Sequence, residues 1–560
     1  KRAQRPQDQP ARSRVLSDCC SLDGAPTTLA ADALAPPPAS WLTRRAAPAM
    51  AASHDASSAP GIDARDLYRR SCEPEVSEPV TGVLQGELPA WLKGRLLRNG
   101  PGTFSVGPDH YNHAFDGPAL VRQFSIENGK VSYRNRFVQS QAYTRNRRAN
   151  RIVVSEFGTL AHPDPCATVF ERLASYFSPD TTDNTLVNVM PVGDEVYAMT
   201  ETPYMYRVDP VTLETLERKN LRDLVAVHTA TAHPHLDPVD GATYNIGTQM
   251  GAHPSFVLIH CPPGRDGGES SVDRVRVVGK VPLQSRMSVP YIHSFALTEK
   301  WVVVLEQSLA LSVPAMLRSR FLGGDAYMQA LKFDSKKDVR FHVMDKKTGQ
   351  LHPAVFEADA FFTFHHINAF ERGGDLVVDV ICFSDDSIIR SLDFTSKNPE
   401  VFKLGRMRRF LLPLSRGAGE RVCVDSQDLA KGKLRSELPR VNQSRNGKPY
   451  RFCYSVSNED GEEHTCFLSK LDVATGEWQR WEKHGWFPSE PVFVPRPGAV
   501  DEDDGVILSS LLTRNDEKKL ALAVIDAKTF QQLALAEFEC PSPIPADFHG
   551  WFLEQQADQV

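Results

Sequence analysis

No stretch of the 560 residues reaches the roughly 18 consecutive apolar positions that a membrane-crossing helix needs. A helical span is therefore not expected, and any membrane contact would be peripheral. The ten cysteines contain no Cys-x-x-Cys pair and no compact framework; only Cys19 and Cys20 are adjacent. Scattered thiols of this kind point to a reducing, cytoplasmic compartment rather than a disulfide scaffold. Excess positive charge is missing too. At a net charge of −6 the chain offers nothing to draw in a phosphate backbone, so nucleic acid is not an expected partner. No charged segment followed by a clean apolar one opens the chain, so no secretory signal is expected. Residues 1–60 have little apolar periodicity and are rich in Pro, Ala, Ser and Arg, as in "ALAPPPASW". They read as a disordered extension; residues 1–49, which precede the first methionine at Met50, read either as a translated leader or transit segment or, the favoured reading, as sequence upstream of the true start. Residues 61–560 read as a single domain.

From about residue 80 onward the pattern is mostly β. "WVVVLEQ", "DLVVDVICF" and "GVILSSLL" are short β-branched runs bounded by turn residues. One turn chemistry recurs: an apolar strand, then Asp-x-x-Thr, then a second strand, at Asp209, Asp345, Asp472 and Asp526. An aspartate opening such a turn accepts backbone N–H groups two residues on. The aspartates lie 136, 127 and 54 residues apart, so the first two intervals are about twice the third or slightly more. A unit of roughly 50 to 70 residues with antiparallel hairpins predicts an all-β propeller in which some copies have lost the signature.

The histidines keep the same beat. His293, His365 and His549 lie 60, 72 and, after a further 184, close to three more periods beyond His233, His293 and His365 respectively. Equivalent positions on successive blades converge on the propeller axis, so residues far apart in sequence meet there. Glu437 and Glu490 fall on the skipped beats, and Glu201 sits 32 residues before His233. A carboxylate that accepts the free ring N–H of a metal-bound imidazole fixes its tautomer. Adjacent strand residues face opposite sides, so only one of His365 and His366 can face the axis. Spacing alone does not separate His233 from His235 or from His228. Four imidazoles without a carboxylate suit iron, zinc or copper. Ligands spread over more than 300 residues fit an octahedral metal with two open positions better than a compact structural zinc site. Iron(II) with open positions points to an oxygenase.

"RNGPGTF", "FDGPALV", "SEFGTLAHPDPC", "TDNTLVNV", "TETPY", "TAHPH", "YIHSF", "FHHINAF", "PSEPVFVP" and "DFHGWF" together resemble the carotenoid cleavage oxygenases over nearly all of residues 80–552. Within that family the chain is most similar to the animal branch, and "LYRRSCEPEV" and "ETPYMYRVDP" to the insect isomerooxygenases. The resemblance implies a seven-bladed β-propeller under a helical and loop dome, with non-haem Fe(2+) on the axis and O2 as co-substrate. It places the metal ligands at His233, His293, His365 and His549. It pairs Glu201 with His293, Glu437 with His365 and Glu490 with His549, and leaves His233 without such a partner. The implied reaction is cleavage of the central double bond of a carotenoid such as β-carotene or zeaxanthin to retinal-type aldehydes. Coupled conversion of one half to the 11-cis isomer would make it a source of visual chromophore.

The aromatics near the ligands, Phe295, Phe362, Phe364, Trp486, Phe548 and Trp551, are candidates for the wall of a substrate tunnel. "DPCATVFERLASYF" predicts a helix capped by Asp164, with Val169, Phe170, Leu173 and Phe177 on one face and Cys166 near its start. This stripe is the candidate membrane contact, with Cys166 a possible acylation site and residues 311–324 a second patch. A cytoplasmic, peripherally membrane-associated enzyme is thus expected; the oligomeric state is not legible. Alternatives sharing the fold are an isomerohydrolase of retinyl esters, which consumes no O2, and a non-catalytic carotenoid or retinoid carrier, with a zinc hydrolase more distant.

Overall fold

The strand Gly505–Thr513 is buried at every one of its positions, and Asp375–Cys382 at all but its first. Strands with one wet face alternate; strands buried on both faces read as continuous apolar runs. These runs therefore belong to sheets sandwiched between other sheets. The computed structural model, which describes residues 65–167, 182–264, 269–322, 327–397, 402–417, 419–462 and 465–555, shows how. Seven sheets of four to six strands form the seven blades of a β-propeller. The predicted extension over residues 1–60 lies outside the described residues.

Blades 1 to 6 follow the chain, over residues 188–220, 229–282, 296–358, 366–428, 434–481 and 486–539. Blade 7 joins the two ends of the fold. Its edge strand His549–Glu554 pairs antiparallel with Gly94–Asn99, which continues into Leu120–Glu127 and Lys130–Phe137. The preceding segment Val83–Gly86 adds an outer strand to blade 6. The four Asp-x-x-Thr turns connect the third and fourth strands of blades 1, 3, 5 and 6, which accounts for two double intervals and one single. In each of the first two, one aspartate oxygen accepts two backbone N–H groups, at 2.7 and 2.8 Å for Asp209 and 3.0 and 2.9 Å for Asp345.

Apolar layers fill the gaps between blades all the way round. Leu97, Val121 and Val189 lie between blades 7 and 1; Met190 and Val257 between 1 and 2; Tyr244 and Val302 between 2 and 3. Phe341 and Phe410, Phe370 and Leu471, Leu468 and Ile507, and Leu96 and Leu508 continue the circuit back to blade 7. Burial of each large apolar side chain contributes about 1.5–3 kcal/mol, so ring closure gains a whole layer on each side of the last blade. Over one end of the axis lies a dome built from Gln141–Ala149 and the loop after it, from Ser387–Ser391, and from a three-stranded sheet with the helices Val313–Leu322 and Tyr327–Ala330.

The closing pair is tight. Arg98 lies opposite Gly550 and Asn99 opposite His549. A Cβ at Gly550 would stand 2.1 Å from the carbonyl oxygen of Leu97 and 2.7 Å from Cδ of Arg98. Gly550→Ala must push the last strand away from Gly94–Asn99. Overpacking of this kind costs about 1–3 kcal/mol. The variant is expected to unfold at a lower temperature and to retain less metal than wild type, as read by thermal denaturation and metal analysis; an unchanged melting temperature would contradict the close approach.

Candidate metal centre

One edge strand of each blade faces the axis, and six of the seven carry a charged or imidazole side chain at or beside the same level. His233 lies between Thr229–Ala230 and His235–Leu236 in blade 2, and His293 just before Ala296–Leu297 in blade 3. His365 precedes His366–Arg372 in blade 4, and Glu437 sits in Leu434–Arg440 of blade 5. Glu490 lies between Trp486–Pro488 and Val492–Pro495 in blade 6, and His549 opens the edge strand of blade 7. Blade 1 contributes differently: Glu201 comes from the turn after its second strand, Glu195–Met199.

The four histidines meet. Each offers one ring nitrogen, and these atoms lie within 4.8 Å of one another. Nε2 of His293 is 2.9 Å from that of His233 and 3.2 Å from that of His365, which is 3.3 Å from that of His549. Carboxylates hold the other nitrogens: Nδ1 of His293 contacts Glu201, Nδ1 of His365 lies 2.5 Å from Glu437, and Nδ1 of His549 lies 2.8 Å from Glu490. Ionised carboxylates only accept hydrogen bonds, so the Nδ1 atoms carry the protons and the Nε2 atoms keep bare lone pairs. Three lone pairs at hydrogen-bond distance with no proton between them repel unless a cation lies among them. The donor set therefore fits a metal ion. Burial holds the imidazoles of His233, His293 and His549 below their ordinary range, His549 at about 4, although Glu201 and Glu490 act in the opposite sense on the latter two. The neutral form is the one that binds metal.

The geometry also selects a coordination type. Five of the six ring separations are between 4.4 and 4.9 Å, while His293 and His549 are 6.5 Å apart. A regular tetrahedron would make all six alike, as in closed zinc sites. One long separation among five short ones departs from that pattern, so an ion held by these four histidines would keep room for further ligands.

The support behind the carboxylates is itself charged and buried. Glu490 accepts from Arg98 at 2.8 Å and from the backbone N–H of Gly550 at 3.0 Å, and Arg440 lies 3.1 Å away. Burial alone would raise its carboxyl, but Arg440, His549 and Arg98 outweigh burial and keep it anionic. Arg98, with no exposed surface, is paired with Asp547 at 2.5 Å, and Asp547 with Arg122 at 3.3 Å. Tyr291 donates to Glu201 at 2.6 Å. Leu438 has φ +54°, a left-handed conformation that lets its N–H turn back to the Glu437 carboxylate at 2.6 Å. Sequence reasoning did not single out Arg98, Arg440, Asp547, Tyr291 or Leu438. An arginine inside the apolar strand "GRLLRN" was the available signal.

The other histidines stand apart. His366 faces away, its Nδ1 2.8 Å from Oγ of Ser294. His235 bonds Asn446 and the carbonyl of Phe295, and His228 accepts the N–H of Met250 at 3.1 Å.

Between the centre and the dome is a cavity of about 1620 Å³, walled mainly by apolar side chains and reaching His293, His365 and His549. It exceeds the roughly 300–1,000 Å³ of ordinary small-molecule pockets. Of the six proposed wall aromatics, Phe364 and Phe548 line it and the other four do not. Phe295, fully buried, packs between blades 2 and 3, and Phe362 stacks on Phe383 at 4.9 Å. Trp486 packs against the layer between blades 5 and 6. Trp551 lies two residues down the closing strand, under Arg440, past the level the cavity reaches. Closeness to a ligand in sequence does not place a ring on the one side of the centre where the dome leaves space. Phe115, Phe157 and Tyr68 line it instead. Cys166 is exposed and lines the cavity, whereas Val169, Phe170, Leu173 and Phe177 lie outside the described residues.

The family model for the retinal pigment epithelial membrane protein matches residues 69–554. The chain is 38% identical over 513 residues to β,β-carotene 15,15′-dioxygenase of Rattus norvegicus, covering 86% of this chain and 90% of the relative. It is 37% identical over 505 residues to carotenoid isomerooxygenase of Galleria mellonella, covering 88% and 96%. Among solved structures, cobalt-substituted apocarotenoid oxygenase of Synechocystis superposes with a TM-score of 0.73 at 24% identity, covering 88% of this chain and 98% of that one.

The two neighbouring histidines of blade 4 give a direct test of the ligand set. His365→Ala is expected to abolish metal retention, and His366→Ala to leave metal content within about twofold of wild type while lowering stability, since removing a ring hydrogen-bonded to Ser294 costs about 1–3 kcal/mol. Equal metal loss in both would refute the assignment.

Proposed function

The chain belongs to the family of the retinal pigment epithelial membrane protein, and from that premise we propose that it is a non-haem iron oxygenase that cleaves carotenoids with O2. The observation that carries this reading is the four-histidine cluster at the end of a large apolar cavity. His233, His293, His365 and His549 would hold iron(II), which when bound supplies the activation of O2. The protein's own part is positioning. Glu201, Glu437 and Glu490 fix three ligand rings in the tautomer that leaves Nε2 free. Phe364, whose ring is 5.0 Å from that of His293, and Phe548, next to His549, flank the place where a double bond must lie. The apolar wall excludes water from the reacting bond.

Relatives named for the 15,15′ bond support cleavage at the central double bond to two retinal-type aldehydes. The moth and fly relatives named carotenoid isomerooxygenase support coupled isomerisation. The moth relative matches at 37% and the rat dioxygenase at 38%, so identity does not favour the insect type.

Peripheral attachment to membrane is part of the same proposal, because the substrate partitions into lipid. No helix of the described residues is long and apolar enough to cross a membrane. Leu160 and Leu317 lie on the cavity wall yet are 42% and 40% exposed, which supports a mouth that opens toward lipid. Cys166 lies on the same wall, next to the proposed stripe.

Incubation of the iron-loaded protein with β-carotene under air is expected to give two aldehydes per molecule consumed, and under nitrogen none. Oxygen-independent isomerisation and hydrolysis of a retinyl ester would replace this reading with the isomerohydrolase. Exchange of Phe170 and Phe177 for glutamate is expected to release the protein from liposomes with its iron content unchanged; retained binding would remove the stripe from the membrane face.

A further inference from the structure

Tyr68 ends the short helix Arg65–Tyr68, and the chain on either side of it is pinned. The carbonyl of Leu67 accepts the N–H of Ala546 at 3.0 Å, and Arg70 donates to the carbonyl of Thr513 at 2.7 Å. The Tyr68 ring stacks on Phe548, the residue before the ligand His549, at 5.6 Å and 30°, and both residues line the cavity. Its hydroxyl makes no hydrogen bond among the described residues.

The nearest charged groups are engaged elsewhere. Asp547 accepts from Arg98 at 2.5 Å and from Ser510 at 2.8 Å. Oε2 of Glu437 accepts from His365 at 2.5 Å and from the N–H of Leu438 at 2.6 Å. A phenol is a donor at neutral pH, and burial, then Asp547, push this one further above its ordinary value. Tyr68 thus presents an O–H to a cavity whose wall is mainly apolar. A donor without an acceptor in such a place is costly, so a ligand that brings an oxygen to it is favoured over one that does not.

A hydrocarbon carotenoid brings no acceptor. Its cleavage makes two: O2 is divided between the carbons of the broken double bond, and each half leaves as an aldehyde with one oxygen. Those oxygens arise beside the histidines, and Tyr68 stands against the ring that adjoins His549 in the chain. On the same wall Leu67, Leu512 and Ala546 offer an apolar surface for a polyene tail. Resting on the oxygenase reading, we propose that Tyr68 builds a product site, its hydroxyl donating to the carbonyl oxygen of a newly formed polyene aldehyde. The donor is unmatched before cleavage and matched after it, so the cavity holds product more tightly than the hydrocarbon it came from.

The test measures binding to the iron-loaded protein under nitrogen, by quenching of tryptophan fluorescence in one detergent. The probes are retinal and axerophthene, the hydrocarbon with the same carbon skeleton. Tyr68→Phe keeps the ring on Phe548 and removes only the donor. It is expected to lower the ratio of retinal to axerophthene affinity by about five- to tenfold, the size of one neutral hydrogen bond in a dry site. Partition into the micelle cancels in that comparison. An unchanged ratio, including equal weakening of both probes, would overturn the proposal. Wild type that binds retinal no more tightly than axerophthene would overturn it whether or not the variant folds. Zeaxanthin and β-carotene separate an oxygen at the cleaved bond from one at the end of the chain. Their affinity ratio is expected to be the same in both proteins, and a fall in the variant as large as that for retinal would overturn the assignment to product. Cleavage of β-carotene in air is followed in parallel: its absence from wild type, with the retinal preference intact, would bring down the oxygenase reading and not the donor site.

Discussion

Four imidazoles converge on one point of the propeller axis, and the rest of the structure is arranged to hold them there. The ligands come from four blades, and nothing local keeps any of them in place. What does is the closed ring of apolar layers: each edge strand is fixed by the blade on either side, so a ligand cannot retreat from its neighbours without opening a layer. The 2.9–3.3 Å separations between ring nitrogens show how closely the ring of blades brings the ligands together. Iron would be held by donors that four separate blades supply.

Charge is arranged in the same spirit. Three carboxylates stand behind three histidines, and Glu490 among them is backed by arginines, with Arg98 and Arg440 both in reach. Through Arg98 and Asp547 the network ties blade 6 to both strands of the closing pair in blade 7. Breaking a buried pair of this kind by removing one partner is strongly destabilising, because the other charge is stranded. His549, the ligand on the closing strand, therefore has its ring orientation and its strand position fixed by the same side chains.

Much of this was legible because two periodicities coincide. The Asp-x-x-Thr turns mark the same hairpin in blades 1, 3, 5 and 6, and the histidines and glutamates mark the inner strands, so a blade-length unit and a shared axial position could be read from the chain, while the number seven came with the family resemblance. Parity allowed only one of His365 and His366 to face the axis, and the resemblance chose His365. Periodicity had no purchase on the dome, whose loops follow no repeat, and so could not say which aromatics face the cavity: Phe295 packs between blades 2 and 3, Phe362 stacks on Phe383, and Trp551 lies past the centre. Arg98 was equally hidden, since an arginine in an apolar strand acquires its meaning only when Glu490 and Asp547, some 390 to 450 residues later, fold back onto it. Glu201 broke the beat for a topological reason: it comes from a turn of blade 1, not from an inner strand.

The order of the ligands along the chain sets a clock on the centre's assembly. His233 is synthesised 316 residues before His549, and the strand that receives His549, Gly94–Asn99, is made before either. No nascent fragment holds the complete ligand set, and none can form the final blade. A chain that stops before His549 has three of the four histidines and an unpaired sheet edge at Gly94–Asn99. The complete set of four histidines therefore comes together only in a chain translated through His549 and wrapped back on its own beginning.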